Sequence, residues 1–159
     1  MHTNNKEGRK IAMRQINEVY PKQPSPCHCM NLRRASRAIT QFYDAAMADI
    51  GLTIAQLALL RHLELLAPVT ISELAKRMRI DRTTLNRNMK PLAEAGLIII
   101  SPGRDSRTRQ VELTAAGNAA VIQGWQRWQE AQVSVEGYLG KETMTTLTQL
   151  LSKIEALVP

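Results

Sequence analysis

Five side chains between Arg82 and Lys90 have types and spacing that could do chemistry together. Arg82, Thr83, Asn86, Arg87 and Lys90 recur at i, i+1, i+4, i+5 and i+8, so a helix lines them along one face, with Thr84 beside them. Leu85, Met89 and Leu92 fall at i, i+4 and i+7 and give that helix an apolar back. No acid is expected on the front. Such a front suits the edges of bases. An arginine can donate twice to guanine, an asparagine can both accept from and donate to adenine, and a threonine methyl meets the thymine methyl. A packed back with a cationic and amide front therefore fits the major groove of double-stranded DNA.

The elements that must position this face can be read on either side of it. Ile71 to Met78 forms an apolar helix, and a break of about three residues follows. Asp81 then opens the second helix as its N-cap, because a short carboxylate accepts from the free N–H groups there and sits at the positive end of the helix dipole. This helix runs to Ala95, where Gly96 supplies a C-cap. Leu97 to Ile100 is a β-branched run that ends in the turn signal Ser101-Pro102-Gly103. The tip, Arg104-Asp105-Ser106-Arg107-Thr108-Arg109, alternates in charge. It leads into Val111 and Leu113, which alternate with Gln110 and Glu112 as a half-buried strand should. The sum is a helix-turn-helix with a two-stranded wing. Its two basic surfaces come in the order that groove docking requires, which the competing reading of two ordinary wet faces leaves unexplained.

A second constellation is Cys27-His28-Cys29, with Arg33 and Tyr43 downstream. A cysteine at a helix start, with a guanidinium one turn on, is in a setting where sulfur becomes oxidisable. Three readings stay open: incidental thiols, a redox sensor, or metal ligands, although three ligands in three residues rarely close a tetrahedral site unaided. No metal and no cofactor is expected. Enzymatic signatures are thin, with no Gly-rich phosphate loop, no His-Glu-x-x-His and no nucleophile elbow. His62 lies mid-helix among leucines and reads as a packing or capping residue. Trp125 and Trp128 suit either the wall of a ligand pocket or a dimer core.

Residues 1–30 read as a basic extension and a linker containing Pro21, Pro24 and Pro26. From Asn31, a plausible N-cap, Leu32, Ala35, Ile39, Phe42, Ala46 and Ile50 repeat at helical spacing until Gly51. Thr53 caps a second helix with Leu57, Leu60, Leu63 and Leu66 on one side, ended by Pro68, and Val69-Thr70-Ile71 reads as a third small strand. Thr114 caps a long helix to roughly Tyr138. Lys141 to Leu157 forms the last helix, with Met144, Leu147, Leu150, Leu151, Ile154 and Leu157 in a stripe. The stripe must be buried. The simplest solution packs both ends of the chain against a second subunit, the alternative being an intramolecular bundle.

A chain of 159 residues is long enough for one core. The formal net charge is +7, which favours an anionic partner. Residues 69–110 hold nine basic and four acidic side chains, whereas residues 111–159 hold three and five. Positive charge therefore gathers around the proposed groove-reading module. No apolar run approaches the ~18 residues of a membrane span, so no membrane partner and a cytoplasmic location are expected.

Ile71-Ser72-Glu73-Leu74-Ala75, Ile80-Asp81-Arg82-Thr83-Thr84-Leu85-Asn86-Arg87, Leu92, Gly96-Leu97, Asp105-Ser106-Arg107 and Leu113-Thr114-Ala115-Ala116-Gly117 together resemble the MarR family of bacterial regulators. The resemblance extends more weakly from about Leu32 to the C-terminus. It implies a mainly α fold with a small antiparallel wing: one domain over 31–159, with the winged module at 53–113 and dimerisation helices at 31–50 and 114–157. It also implies a homodimeric repressor on a pseudo-palindromic operator, with Asp105 steadying Arg107 as that arginine enters the minor groove. Arg82, Thr83, Thr84, Asn86, Arg87, Lys90 and Arg104 complete the expected DNA contacts. Pro91 stands where the family has a polar residue, and it frees the carbonyl of Arg87 from the helix ladder. An effector cleft is implied between the winged module and the dimer part. Phe42, Tyr43, His62 and Trp125 are its candidate lining, and the ligand would be a small phenolic or otherwise aromatic or lipophilic molecule. Cys29 lies eleven residues before Thr40 and fourteen before Tyr43, a register similar to the organic-hydroperoxide-sensing branch of the family, except that Arg33 replaces that branch's second tyrosine. Redox control through Cys29 and Cys27 is the alternative to a small-molecule effector, and a ligand-binding or thiol enzyme is the remaining class.

Overall fold

The structure is a computed structural model that describes residues 23–103, 105 and 107–158. The chain divides into two compact units, Met1–Arg37 and Ala38–Pro159. The expected basic extension lies largely outside the described residues.

Helix α1 (His28–Ala46), whose first half lies in the first unit, begins three residues before Asn31, the expected cap. Asn31 is instead turned back as a clamp. Its side-chain oxygen accepts from the Ser25 N–H at 2.7 Å, and its amide donates to the Ser25 carbonyl at 2.8 Å. Asparagine can bond locally in either role, and the sequence pattern alone does not separate the two.

The second unit is built around α2 (Ile54–Leu66). The single run expected to Ile50 breaks near Met47, which is fully buried, and a short 3-10 turn (Ala48–Ile50) follows. Thr53 caps α2 as expected, in a reciprocal box with Gln56: the threonine hydroxyl accepts the Gln56 N–H at 3.2 Å, and Gln56 Oε1 accepts the Thr53 N–H at 2.9 Å. Asp44 Oδ1 satisfies one more free donor of that helix end, the Ile54 N–H, at 2.7 Å. Leu57, Leu59, Leu60 and Leu63 are buried. Leu59 lies off the expected stripe because α2 is covered from several sides.

Those sides are α3 (Ile71–Met78), α4 (Arg82–Glu94), α5 (Ala115–Leu139) and the strand β3 (Arg109–Leu113). β3 is the centre of a three-stranded antiparallel sheet, flanked by β1 (Val69–Thr70) and β2 (Ile98–Pro102). Val69 opposes Val111, and Ile98 opposes Leu113. β2 runs on through Ser101 and Pro102, two residues into the expected turn. Proline is tolerated there because β2 is an edge strand. The core gathers Leu59, Leu60, Leu63, Leu74, Leu85, Met89, Leu92, Val111 and Val121 beneath the helix-turn-helix.

Thr114 joins the wing to α5. Its hydroxyl accepts the Gly117 N–H at 2.9 Å and donates to the Gly96 carbonyl at 2.7 Å, while its own N–H bonds the Leu97 carbonyl at 3.1 Å. The last helix, α6 (Lys141–Glu155), follows Gly140. Its stripe is not covered: Leu147, Leu150, Leu151 and Ile154 are all exposed. Among the described residues, no helix is long and apolar enough to cross a membrane.

Candidate nucleic-acid interface

Helix α3 starts on Thr70, whose hydroxyl accepts the Glu73 N–H at 3.2 Å. It stops when Arg79 takes a left-handed backbone, φ 53. The Arg79 N–H bonds the Lys76 carbonyl and the Ile80 N–H bonds the Ala75 carbonyl, each at 3.1 Å. This paired closure satisfies the last carbonyls of the helix and fixes the turn into α4. Sequence reasoning gave the three-residue break but not the left-handed arginine, since glycine is the residue that signals such a turn.

Asp81 caps α4 as predicted. Oδ1 accepts the Thr84 N–H at 2.8 Å, and Oδ2 accepts the Thr84 hydroxyl at 2.6 Å. The hydroxyl first, and then the backbone N–H groups, hold the Asp81 carboxyl below the ordinary aspartate range. Thr84 is therefore placed differently from its neighbours: it is half-buried, and its hydroxyl proton is committed to the cap. Arg82, Thr83, Asn86, Arg87 and Lys90 are exposed, while Leu85, Met89 and Leu92 are buried behind them. The expectation of an acid-free front needs one correction. Glu94, one turn beyond Lys90, brings Oε1 to 4.0 Å from the lysine nitrogen, so the cationic face ends on a carboxylate. The helix is continuous through Pro91, which is exposed. At the far end the Gly96 N–H bonds Ala93 and the Leu97 N–H bonds Leu92, with Gly96 at φ 69 just past the cap Ala95.

In the wing, the Gly103 N–H bonds the Thr108 carbonyl at 2.9 Å and closes the tip. Asp105 organises it. Oδ1 accepts the Arg107 N–H at 3.0 Å, and Oδ2 lies 3.4 Å from the Arg107 guanidinium. The Asp105 carbonyl accepts both the N–H and the hydroxyl of Thr108, each at 2.8 Å. The Arg107 N–H, followed by its side chain, holds the Asp105 carboxyl below its usual range. The Arg107 side chain remains 88% exposed and hence free to reach outward. Arg104 and Ser106 lie outside the described residues.

The four residues expected around an effector cleft have different partners. Phe42 and Tyr43 meet edge to face at 5.8 Å, and the Tyr43 hydroxyl donates to Gln132. Burial first, and then the charge of Glu136, push the Tyr43 hydroxyl above its ordinary value, so it stays a donor. His62 Nδ1 lies 2.8 Å from the Ala58 carbonyl of its own helix, as a packing residue would. Trp125 stacks on Trp128 at 4.3 Å with an interplanar angle of 17°, and the Arg61 guanidinium lies 4.4 Å from the Trp125 ring centre. Sequence reasoning missed Gln132 and Arg61. It also missed Arg127, which holds Asp49 with Nε at 3.0 Å and Nη2 at 2.8 Å and so ties α5 to the 3-10 turn. Asp49 raises the Arg127 guanidinium further above its ordinary value.

Cys27 and Cys29 are free thiols and both exposed. Among the described residues, no group of three or more His, Cys, Asp or Glu side chains is placed to hold a metal ion.

A helix with a packed back and an exposed cationic front, followed by a wing whose tip arginine is held by an aspartate, defines a winged helix-turn-helix protein. Residues 50–108 match the MarR family. The chain is 35% identical to the Mycobacterium tuberculosis transcriptional regulator MosR, solved in complex with DNA, with a TM-score of 0.70 over 84% of this chain and 99% of that one. The chain belongs to the MarR family of transcriptional regulators. It is also similar to Bordetella bronchiseptica BpsR, whose DNA binding is regulated by 6-hydroxynicotinic acid, at 25% identity and a TM-score of 0.74 over 86% of this chain and 99% of that one. The Staphylococcus aureus MepR–DNA complex shares the fold at 19% identity, with a TM-score of 0.73 over 84% of this chain and all of that one. No curated protein matches the sequence significantly.

Proposed function

We propose that this protein is a sequence-specific DNA-binding repressor that acts as a homodimer on a pseudo-palindromic operator and is released by a small-molecule effector. The observation that carries the reading is the front of α4, where Arg82, Thr83, Asn86, Arg87 and Lys90 are exposed on a helix anchored by buried leucines. Arg87 and Asn86 have the donors and acceptors to read base edges, and Arg107 on the wing suits the minor groove. The exposed stripe Leu147, Leu150, Leu151 and Ile154 of α6 supports dimerisation, since an apolar row of this kind is covered by a like row in a two-fold assembly. Two recognition helices would then sit about one DNA turn apart, ~34 Å. Phe42, Tyr43, His62 and Trp125 remain the candidates for effector contact. An effector releases DNA only by favouring one spacing of the two recognition helices. The test is binding of the purified protein to DNA upstream of its own coding sequence and to random duplex. The proposal expects at least ~10³-fold preference for the former at physiological salt, and equal affinity for both would reject it.

A second reading, oxidation in place of an effector, is favoured by one observation: two exposed thiols separated by one residue where α1 begins. A hydroperoxide would oxidise the Cys29 thiol to a sulfenic acid and be reduced to an alcohol. The Cys27 thiol, on the same chain or the other subunit, would then displace water to give a disulfide. Loss of DNA binding after mild hydroperoxide in wild type, but not in Cys29→Ser, supports this reading. Equal loss in both, or no loss in either, rejects it.

A further inference from the structure

Arg79 occupies the one left-handed position among the described residues that is not glycine. Glycine adopts that conformation freely and an arginine does not, so the turn alone would favour a glycine here. A residue kept against local preference points to a use for its side chain. That side chain is 85% exposed. It also lies two positions before Asp81, at the N-terminal end of α4, the end a recognition helix presents to the groove.

The partner of Arg79 is unlike those of Arg77, Lys90 and Arg107. Arg77 pairs with Glu73, Lys90 with Glu94 and Arg107 with Asp105, all acids of the same helix or turn. The Nη1 of Arg79 instead lies 3.6 Å from Oε2 of Glu155, the last residue of α6. An acid from the far end of the chain thus reaches the turn between the two helices of the DNA-binding motif. A carboxylate and a phosphate present the same kind of oxygen pair to a guanidinium, so the two compete for it. The Glu155 side chain is itself 72% exposed, and an ion pair in water is weak and salt-screened, so exchange for phosphate is easily reversed.

We propose that Arg79 is a DNA-backbone contact that Glu155 restrains, so that the end of the C-terminal helix tunes DNA affinity through this one ion pair. The proposal rests on the DNA-binding reading above and adds a residue and a control to it. Phosphate contacts position the protein and carry no base information, so Arg79 strengthens binding to any duplex alike. Because α6 also carries the uncovered apolar stripe, whatever shifts that helix shifts Glu155 with it.

The experiment measures binding to the upstream duplex from about 50 to 300 mM salt for wild type, Arg79→Gly, Arg79→Lys, Glu155→Gln and the Arg79→Gly/Glu155→Gln double variant. Each protein's thermal stability is measured alongside. Arg79→Gly should fold at least as stably as wild type yet bind on the order of tenfold more weakly near 0.15 M salt. Its log-affinity against log-salt slope should fall by about 0.9 per protomer. Arg79→Lys should keep the wild-type slope. Glu155→Gln should tighten binding about two- to fivefold per protomer at low salt, the range open to an exposed ion pair, and should have no effect once Arg79 is glycine. A wild-type slope in Arg79→Gly overturns the proposal. So does a Glu155→Gln effect that is absent in the Arg79 protein, or that is equal with and without Arg79 and hence only general repulsion. Wild-type protein that does not distinguish the upstream duplex from random DNA would instead defeat the underlying DNA-reading assignment.

Discussion

Gly117→Ala should destabilise the protein even though alanine is the better helix former. A Cβ at position 117 would lie 2.0 Å from the backbone oxygen of Leu97 and 3.2 Å from Leu113 Cδ2. Carbon and carbonyl oxygen approach no closer than about 3.3 Å even in favourable contacts, so the chain must open by over ~1 Å. The Leu97 oxygen cannot swing away freely, because it accepts the Thr114 N–H and stands just before β2. Overpacking of this kind costs about 1 to 3 kcal/mol, and a clash with backbone belongs at the upper end. The gain in helix propensity, up to ~1 kcal/mol, offsets part of it. A net loss of about 2 kcal/mol should lower the melting temperature by roughly 4–8 °C for a chain of this size. The control is Gly137→Ala in the same helix, where nothing lies within 4 Å of the added carbon. It should be neutral or raise the melting temperature by up to about 4 °C. Both are read by circular dichroism at one fixed protein concentration, since association would shift the transition. A Gly117→Ala protein that melts at or above wild type, or a Gly137→Ala protein that falls equally, refutes the close-approach argument.

Thr53→Ala removes half of the reciprocal cap on α2 and should cost about 1 kcal/mol, read as a shift in the urea midpoint at constant slope; an unchanged midpoint would show that Asp44 suffices at that helix end. Arg107→Ala should weaken DNA binding and lower the salt slope by about 0.9 per protomer, with lost preference confined to A·T content or groove width. Unchanged affinity at moderate salt would mean that the wing does not reach DNA. The Arg107 N–H first, and then its side chain, bond the charged form of Asp105 and hold its carboxyl below the ordinary aspartate range. The wing bonds it makes are thus fully present above the unfolded aspartate pKa and are lost as pH falls through the lowered folded value. An NMR titration of the Asp105 carboxyl with a midpoint at or above 3.8 would contradict that geometry.

The parts of the fold that were legible in the sequence are those set by short-range chemistry. Asp81, Thr53 and Thr114 each sit just before an apolar-periodic run, and a short oxygen side chain there has one dominant use. Val69 and Val111 were recognisable as strand residues; the Asp105–Arg107 pair was implied by the family resemblance, the tip itself showing only alternating charge. What was not legible depends on distant partners. Asn31 has the right type for a cap, but Ser25 engages it elsewhere. Thr84 shares a face with Arg87 in projection, yet its hydroxyl turns to Asp81. Leu59 is buried because several elements cover α2 at once. Arg61 over Trp125 and Arg127 on Asp49 are contacts between elements that no spacing along the chain announces. The left-handed Arg79 carries no sequence signal at all, since the residue type that marks such a turn is absent there.

The central claim is that the front of α4 reads bases. It is tested most directly by measuring affinity for every single base-pair substitution across the bound site, for wild type, Asn86→Ala and Arg87→Ala. The account predicts that each variant loses discrimination at one or two base pairs per half-site, at symmetric positions in two half-sites whose centres lie about 10 base pairs apart, with about 1 to 3 kcal/mol lost at each. A uniform drop in affinity that leaves the base preferences of wild type intact at every position would contradict it.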